Sequence, residues 1–243
     1  MDRTILEPSL TTRLGLFDWL QLEAIFPWRY SNERHSLTNE EITIDDTAFG
    51  DIEAGLSAQL MKEKGPWPAL VGAVRVRTTT GQDLFDIDSP DELPTGSGFW
   101  GVRGILSAIK VRDPIVIFGN IGYTYNIPRT GDFGFPQPAE DVEIDPGDTI
   151  EWGLGFAYAI SPEISLNMQY VHRLSVRSDM KDSGTLPEEQ EGKLPGTYQN
   201  VPELKLGTVW NFKKNRFIDF SVSIGLSEDA PDVTVQIGMP FRF

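Results

Sequence analysis

The chain has 243 residues, with 21 Lys+Arg against 36 Asp+Glu, giving a formal net charge of −15. Charged residues at 23% and aromatics at 11% argue against intrinsic disorder, and the acidic excess argues against a nucleic-acid partner, whose phosphates need cations. The absence of Cys removes disulfides, thiolate nucleophiles and Cys-based metal sites, and no apolar run reaches the roughly 20 residues of a membrane helix.

In place of helical spacing, alternation with period two runs along the chain, which is the pattern of strands with two unlike faces. It predicts about eleven strands, over 4–14, 19–30, 48–61, 69–79, 99–111, 115–125, 149–160, 164–177, 200–212, 217–225 and 232–243. In the second, Leu20, Leu22, Ala24, Phe26, Trp28 and Tyr30 oppose Gln21, Glu23, Pro27 and Arg29. In the third, Ile52, Ala54, Leu56, Ala58 and Leu60 oppose Asp51, Glu53, Gly55, Ser57 and Gln59. Alternation is ambiguous in 99–111, and 115–125 places Val116 and Phe118 on its less apolar face. The seventh strand sets Ile150, Trp152, Leu154, Phe156, Tyr158 and Ile160 against Glu151, Gly153, Gly155, Ala157 and Ala159. The last sets Val233, Val235, Ile237, Met239, Phe241 and Phe243 against Thr234, Gln236, Gly238, Pro240 and Arg242. Strands of about 9–14 residues exceed the usual globular length and match the 9–11 residues of a tilted bilayer crossing.

The connections alternate short and long. The short ones are 15–18, 62–68, 112–114, 161–163 and 213–216; the long ones are 31–46, 80–97, 126–148, 178–199 and a smaller 226–232. A meander with turns at one rim and loops at the other has this rhythm. The five long connections hold 24 acids and 4 bases, a net −20 that leaves the rest of the chain at +5. The acidity therefore belongs to one rim.

Which face points inward separates a membrane barrel from a lipocalin-like soluble barrel with an apolar interior. The polar face carries Arg29, Glu53, Arg75, Arg77, Glu151, Glu203, Lys205 and Arg242 together with many Gly and Ala, which suits a wet lumen. Trp19, Trp28, Tyr30, Tyr123, Tyr125, Trp152, Tyr170, Trp210 and Phe212 lie near strand ends, where interfacial girdles form. The fold expected is an all-β, antiparallel up-and-down transmembrane barrel that is one domain over 1–243, located in the bacterial outer membrane.

Little in the chain speaks for chemistry. Of the two His, His35 sits in an acidic loop and His172, at a strand end after Tyr170, has no Asn or Asp spaced to orient it for Ser–His chemistry; neither a P-loop nor metal-ligand His spacing is present. No catalytic residue, metal site or cofactor is expected. The acidic runs at 87–92 and 140–148 could hold calcium, but solvated loops account for them better, and EF-hand spacing is not met. The expected functional surface is the lumen, where Arg29, Arg75, Arg77, Arg173 and Arg242 face Glu23, Asp51, Glu53, Glu151 and Glu203. Such mixed charge either sets pore selectivity or forms a structural network. PTGSG at 94–98 either folds inward as a constriction or is a plain turn-rich loop.

The runs FGDIEAGLSAQLM (49–61), VRVRTTTGQD (74–83), LPTGSGFWGVRG (93–104), FGNIGYTYN (118–126) and DTIEWGLGFAYAISPEISL (148–166) resemble two related groups of outer-membrane barrels. One is the family named for the meta pathway of phenol degradation, described as a transporter; the other is the export pore of the Fap functional-amyloid system. LPTGSGFWG and FGNIGYTYN look more like the exporter. The last strand, apolar at every second position through Phe241 to Phe243, by itself resembles the signal that the barrel assembly machinery reads. The likeness to the exporter implies a 12-stranded barrel, a homotrimer with a plug and contact with outer-membrane lipids. It implies secreted amyloid subunits as cargo, or small aromatic compounds by the phenol-pathway likeness. Eleven strands, an odd number, and the N-terminus MDRTILEPSL, which lacks a signal-peptide pattern, lead to the expectation that a strand and a leader are missing.

Overall fold

The computed structural model describes residues 2–37, 40–83, 85–87, 89, 92–133, 139–181, 192–194, 197–213 and 216–241. Among them every regular element is a strand. Those of the wall are β1 (Asp2–Leu6), β2 (Ser9–Phe17), β3 (Leu20–Leu37), β4 (Glu40–Phe49), β5 (Glu53–Met61), β6 (Ala69–Arg77), β7 (Gly101–Arg112) and β8 (Ile115–Asn126). Two short strands, β9 (Arg129–Phe133) and β10 (Ala139–Asp145), precede β11 (Thr149–Ala159) and β12 (Ile164–Ser175). After β13 (Asp179–Lys181) and β14 (Gly192–Lys193), the wall resumes with β15 (Gln199–Lys213), β16 (Arg216–Gly225) and β17 (Val233–Gly238).

Among the described residues all ladders are antiparallel, and 13 strands form one sheet in the order β1-β3-β5-β6-β7-β8-β11-β12-β15-β16-β17, with β2 and β4 also paired to β3. Because β1 and β2 follow one another along one edge of β3, and β4 and β5 along the other, the sheet is a meander of eleven wall strands. These are the eleven of the alternation pattern. Among the described residues no ladder joins β17 to β1 or β2, so the wall is a curved sheet with two edges.

The apolar face points outward. Leu154 is 61% exposed and Ile237 70%, with Trp152, Phe156, Leu166 and Leu206 on the same side. The polar face is the sheltered, concave one, where Glu23 is 4% exposed and Ser221 1%. A soluble barrel would bury the first set and wet the second, so a soluble module with an apolar interior is not the arrangement found. Aromatic pairs sit near both ends of the strands: Phe17 stacks with Trp19 and Trp210 lies against Phe212 at the short-turn end, whereas Trp28 meets Phe49 and Trp152 meets Tyr170 nearer the other end.

Two of the expected boundaries change. The stretch 31–46 is an arm in which Trp28–Leu37 pairs with Glu40–Phe49, and no loop. Its charges at 33–34, 40–41 and 45–46 obscured the alternation that Ile42 and Ile44 still carry. The last strand is shorter than 232–243: it ends at Gly238, before Pro240, which cannot donate to a ladder, and Phe241 forms an isolated bridge to Arg216.

The long connections do not hang free. β14, β13, β10 and β9 make a separate four-stranded sheet from segments of two of these connections. Val142 (0% exposed), Ile144 and Phe99 form its core, with Phe85 and Met180 against them. A hydrophobic nucleus thus ties three of the long connections into one lid.

Candidate functional site

The lumen-facing charges line up because the ladder register aligns them. Arg13 lies opposite Glu23, Glu23 opposite Gly55, Gly55 opposite Arg75 and Arg75 opposite Arg103. Farther round, Glu151 lies opposite Gly122 on one side and Arg173 on the other. Since side chains alternate across a strand, all of these share the concave face, and together they form a charged belt across it.

The belt is held by two carboxylates, each shared by two arginines. Glu23 accepts from Arg13 Nη2 at 3.4 Å and from Arg75 Nη2 at 3.2 Å. Glu151 accepts from Arg103 Nη2, and Arg173 Nε lies 3.6 Å from its other oxygen. To reach Glu23, Arg75 crosses an intervening strand at Gly55, where a Cβ would stand 2.7 Å from Arg75 Cγ and 2.3 Å from a backbone oxygen. Glycine there is what lets a side chain of one strand pair with a carboxylate two strands away. Arg103 makes the equivalent crossing beside Gly122.

One rung nearer the lid, Glu53 lies opposite Arg77. Arg77 donates through Nη2 to Asn126 Oδ1 at 2.8 Å, and its Nε is 4.0 Å from Asp51. The Asp51 carboxylate is already taken: it accepts from Gly81 N (3.1 Å), Ser97 N (2.7 Å) and Ser97 Oγ (2.6 Å). Thr95 Oγ donates to Phe49 O, and Gln82 N donates to Thr95 Oγ. Gly81 and Gly96 pass so closely that a Cβ on either would meet the other's backbone within 3.0 Å. Thr95, Gly96 and Ser97 consequently lie against the inward-facing Pro27, Arg29, Asp51 and Arg77, so PTGSG folds toward the lumen. Arg129 anchors the same loop from the lid, pairing with Asp83, donating to Gly98 O and covering the Phe85 ring at 4.5 Å.

Between these layers lies a cavity of 330 Å³ bordered by Glu53, Arg75, Arg77, Arg103, Glu151 and Arg173, with Asn126, Thr124 and Ser175 among its other walls. Five of the expected pore-lining residues meet there. Arg29 is set apart and pairs with Glu7 at 2.7 Å. Lys205 also faces inward, bonded to Gln236 at 2.6 Å, and Glu203, on the same face, lies outside the cavity. Arg242 and Phe243 lie outside the described residues. Phe241 is exposed on the outer side.

Arg103, Asn126 and Arg13 were not among the expected lumen residues. Arg103 sits in the strand whose alternation is blurred by Ile105 on the polar face, and polarity alone did not mark Asn126. His172 needs a correction: cross-strand pairing brings Asn200 Oδ1 to its Nε2 at 2.6 Å, while Tyr170 OH lies 3.2 Å from Nδ1. Both ring nitrogens are therefore engaged, within the outer aromatic cluster with Trp152. Among the described residues no group of three or more His, Asp or Glu is placed to hold a metal ion.

A family model described as "Putative MetA-pathway of phenol degradation" matches residues 9–243. Among solved structures, an outer membrane channel from Pseudomonas putida F1 is similar with a TM-score of 0.67 at 14% identity, over 97% of this chain and 81% of that one. The fold is thus that of a bacterial outer-membrane β-barrel, in keeping with the expected localisation.

Proposed function

Since the chain belongs to the family described as the MetA-pathway of phenol degradation, we propose that it is a passive outer-membrane channel for small solutes, with aromatic compounds as the cargo class. One observation carries this reading. The wall presents apolar side chains outward and a charged, cavity-bearing surface inward, which serves a lipid exterior and a wet path. Its natural partners are outer-membrane lipids and the machinery that assembles barrels. The pore-lining set begins with Arg75, Arg77, Arg103, Glu151 and Arg173. A cavity of 330 Å³ beneath a lid pinned at Asp51 favours small solutes over the unfolded amyloid subunits suggested by LPTGSGFWG and FGNIGYTYN. In this structure those two stretches build the lid anchor and β8.

Planar-bilayer recording of the folded, detergent-extracted chain tests the proposal. Discrete ohmic steps, changed in size by Arg75→Ala, are expected. Silence from protein that still migrates faster on unboiled than on boiled gels would overturn it.

A further inference from the structure

The belt is not electrically balanced, and the imbalance is localised. Five guanidinium groups, of Arg13, Arg75, Arg77, Arg103 and Arg173, are spread over the two rungs with four carboxylates, leaving an excess of one positive charge. Compensation is thinnest at Arg77 and Arg173. The carboxylate nearest Arg77 is Asp51 at 4.0 Å, already occupied by two amides and a hydroxyl of the lid. Among the described residues Arg173 has only the Glu151 oxygen at 3.6 Å, on a carboxylate it shares with Arg103. The Nε atoms of Arg75 and Arg77 are buried without an acceptor, so neither guanidinium is fully satisfied by protein. Among the described residues each arginine keeps terminal N–H donors that no protein acceptor takes, and all but Arg13 border the 330 Å³ cavity.

We propose that this cavity is a binding site for a small organic monoanion of the carboxylate class, held by Arg77 and Arg173 with Arg75 and Arg103 beside them. A planar carboxylate matches the guanidinium fork in a two-bond geometry. The single excess charge suits a monoanion better than a phosphate dianion. Glu53, which has no ion pair among the described residues and borders the same cavity, opposes a carboxylate and keeps binding weak enough for release, as conduction requires. The proposal names the solute class of the channel reading above, but binding itself does not depend on conductance.

The test is ligand-observed NMR and calorimetry on the full chain in a neutral detergent, using benzoate, benzamide and inorganic phosphate as probes. Benzoate is expected to bind roughly tenfold more tightly than benzamide, the size of one charge-assisted hydrogen bond. Arg77→Gln lowers benzoate affinity by a similar factor, and Glu53→Gln raises it severalfold. Arg173→Gln, the more exposed of the two at 51%, reports the same loss should Arg77→Gln fail to fold. Equal binding of benzoate and benzamide, tighter binding of phosphate, or benzoate affinity unchanged in both arginine variants overturns the proposal. Benzoate binding in a chain that stays electrically silent supports the site and removes the channel. Conductance without a preference for benzoate removes the site and keeps the channel.

Discussion

The wall and the lid of this molecule are held together by different means. The wall is a ladder: each strand is fixed by its neighbours' backbone, and side chains only declare which face meets lipid and which meets water. The lid has short strands of two to seven residues, too small to stand alone, and gains its shape from a buried apolar cluster and a few carboxylate anchors. The wall therefore tolerates change wherever alternation is kept, while the lid depends on single residues far apart in sequence.

Changes of opposite kind should separate the two regions. The largest effect is expected from a charge on the lipid face. Leu154→Arg costs about 2–4 kcal/mol near the middle of a bilayer, seen as a lower urea midpoint for the folded barrel and loss of the gel-mobility difference. Phe99→Ala, in the lid nucleus, costs up to about 3–5 kcal/mol locally where the cluster cannot collapse. It should speed hydrogen exchange in 139–145 and 179–181 while the wall's exchange stays as it was. If wall and lid loosen together, the division between them fails. Asp51→Ala removes three hydrogen bonds to the lid, each to a charged acceptor worth about 1.5–3 kcal/mol before relaxation. Limited proteolysis within 78–100 should accelerate, and single-channel current should rise as Thr95–Ser97 leaves the mouth.

The smallest effect belongs to the opposite rim, where Glu63 accepts from Val111 N at 3.1 Å and pairs with Lys110 at 2.9 Å, joining two adjacent turns. The Lys110 hydrogen bond first, then that of Val111 N, lowers the Glu63 carboxyl below its ordinary value. A depressed folded value means this link is complete above the usual glutamate range and is lost as pH falls through the lowered one. Hydrogen exchange of 62–68 should therefore quicken on acidification, and Glu63→Gln should remove that dependence.

How much was legible in the sequence follows the same division. All eleven wall strands show in the alternation, because lipid on one side and water on the other impose a period of two. The outward aromatics, and Arg75, Arg77, Glu151 and Arg173 of the belt, come with that period. The lid does not. No period connects Asp51 with Ser97, or Phe85 and Phe99 with Val142, Ile144 and Met180, since these contacts join separate connections. The arm of β3 and β4 was hidden by its charges, and Arg103 by an apolar neighbour on its own face. Asn200 reaches His172 only through a strand pairing that spacing along the chain does not display.

The bond from Arg75 over Gly55 to Glu23 has a mechanical consequence. Backbone ladders let adjacent strands hinge about their long axes, so a sheet alone can flatten or become oval under lateral pressure. A link that spans three strands, set inside the plane of the backbone, resists that hinging as a second ply stiffens a hoop. Filling the clearance at Gly55 would remove the ply while leaving much of the ladder intact, and the cross-section of the wall would begin to breathe.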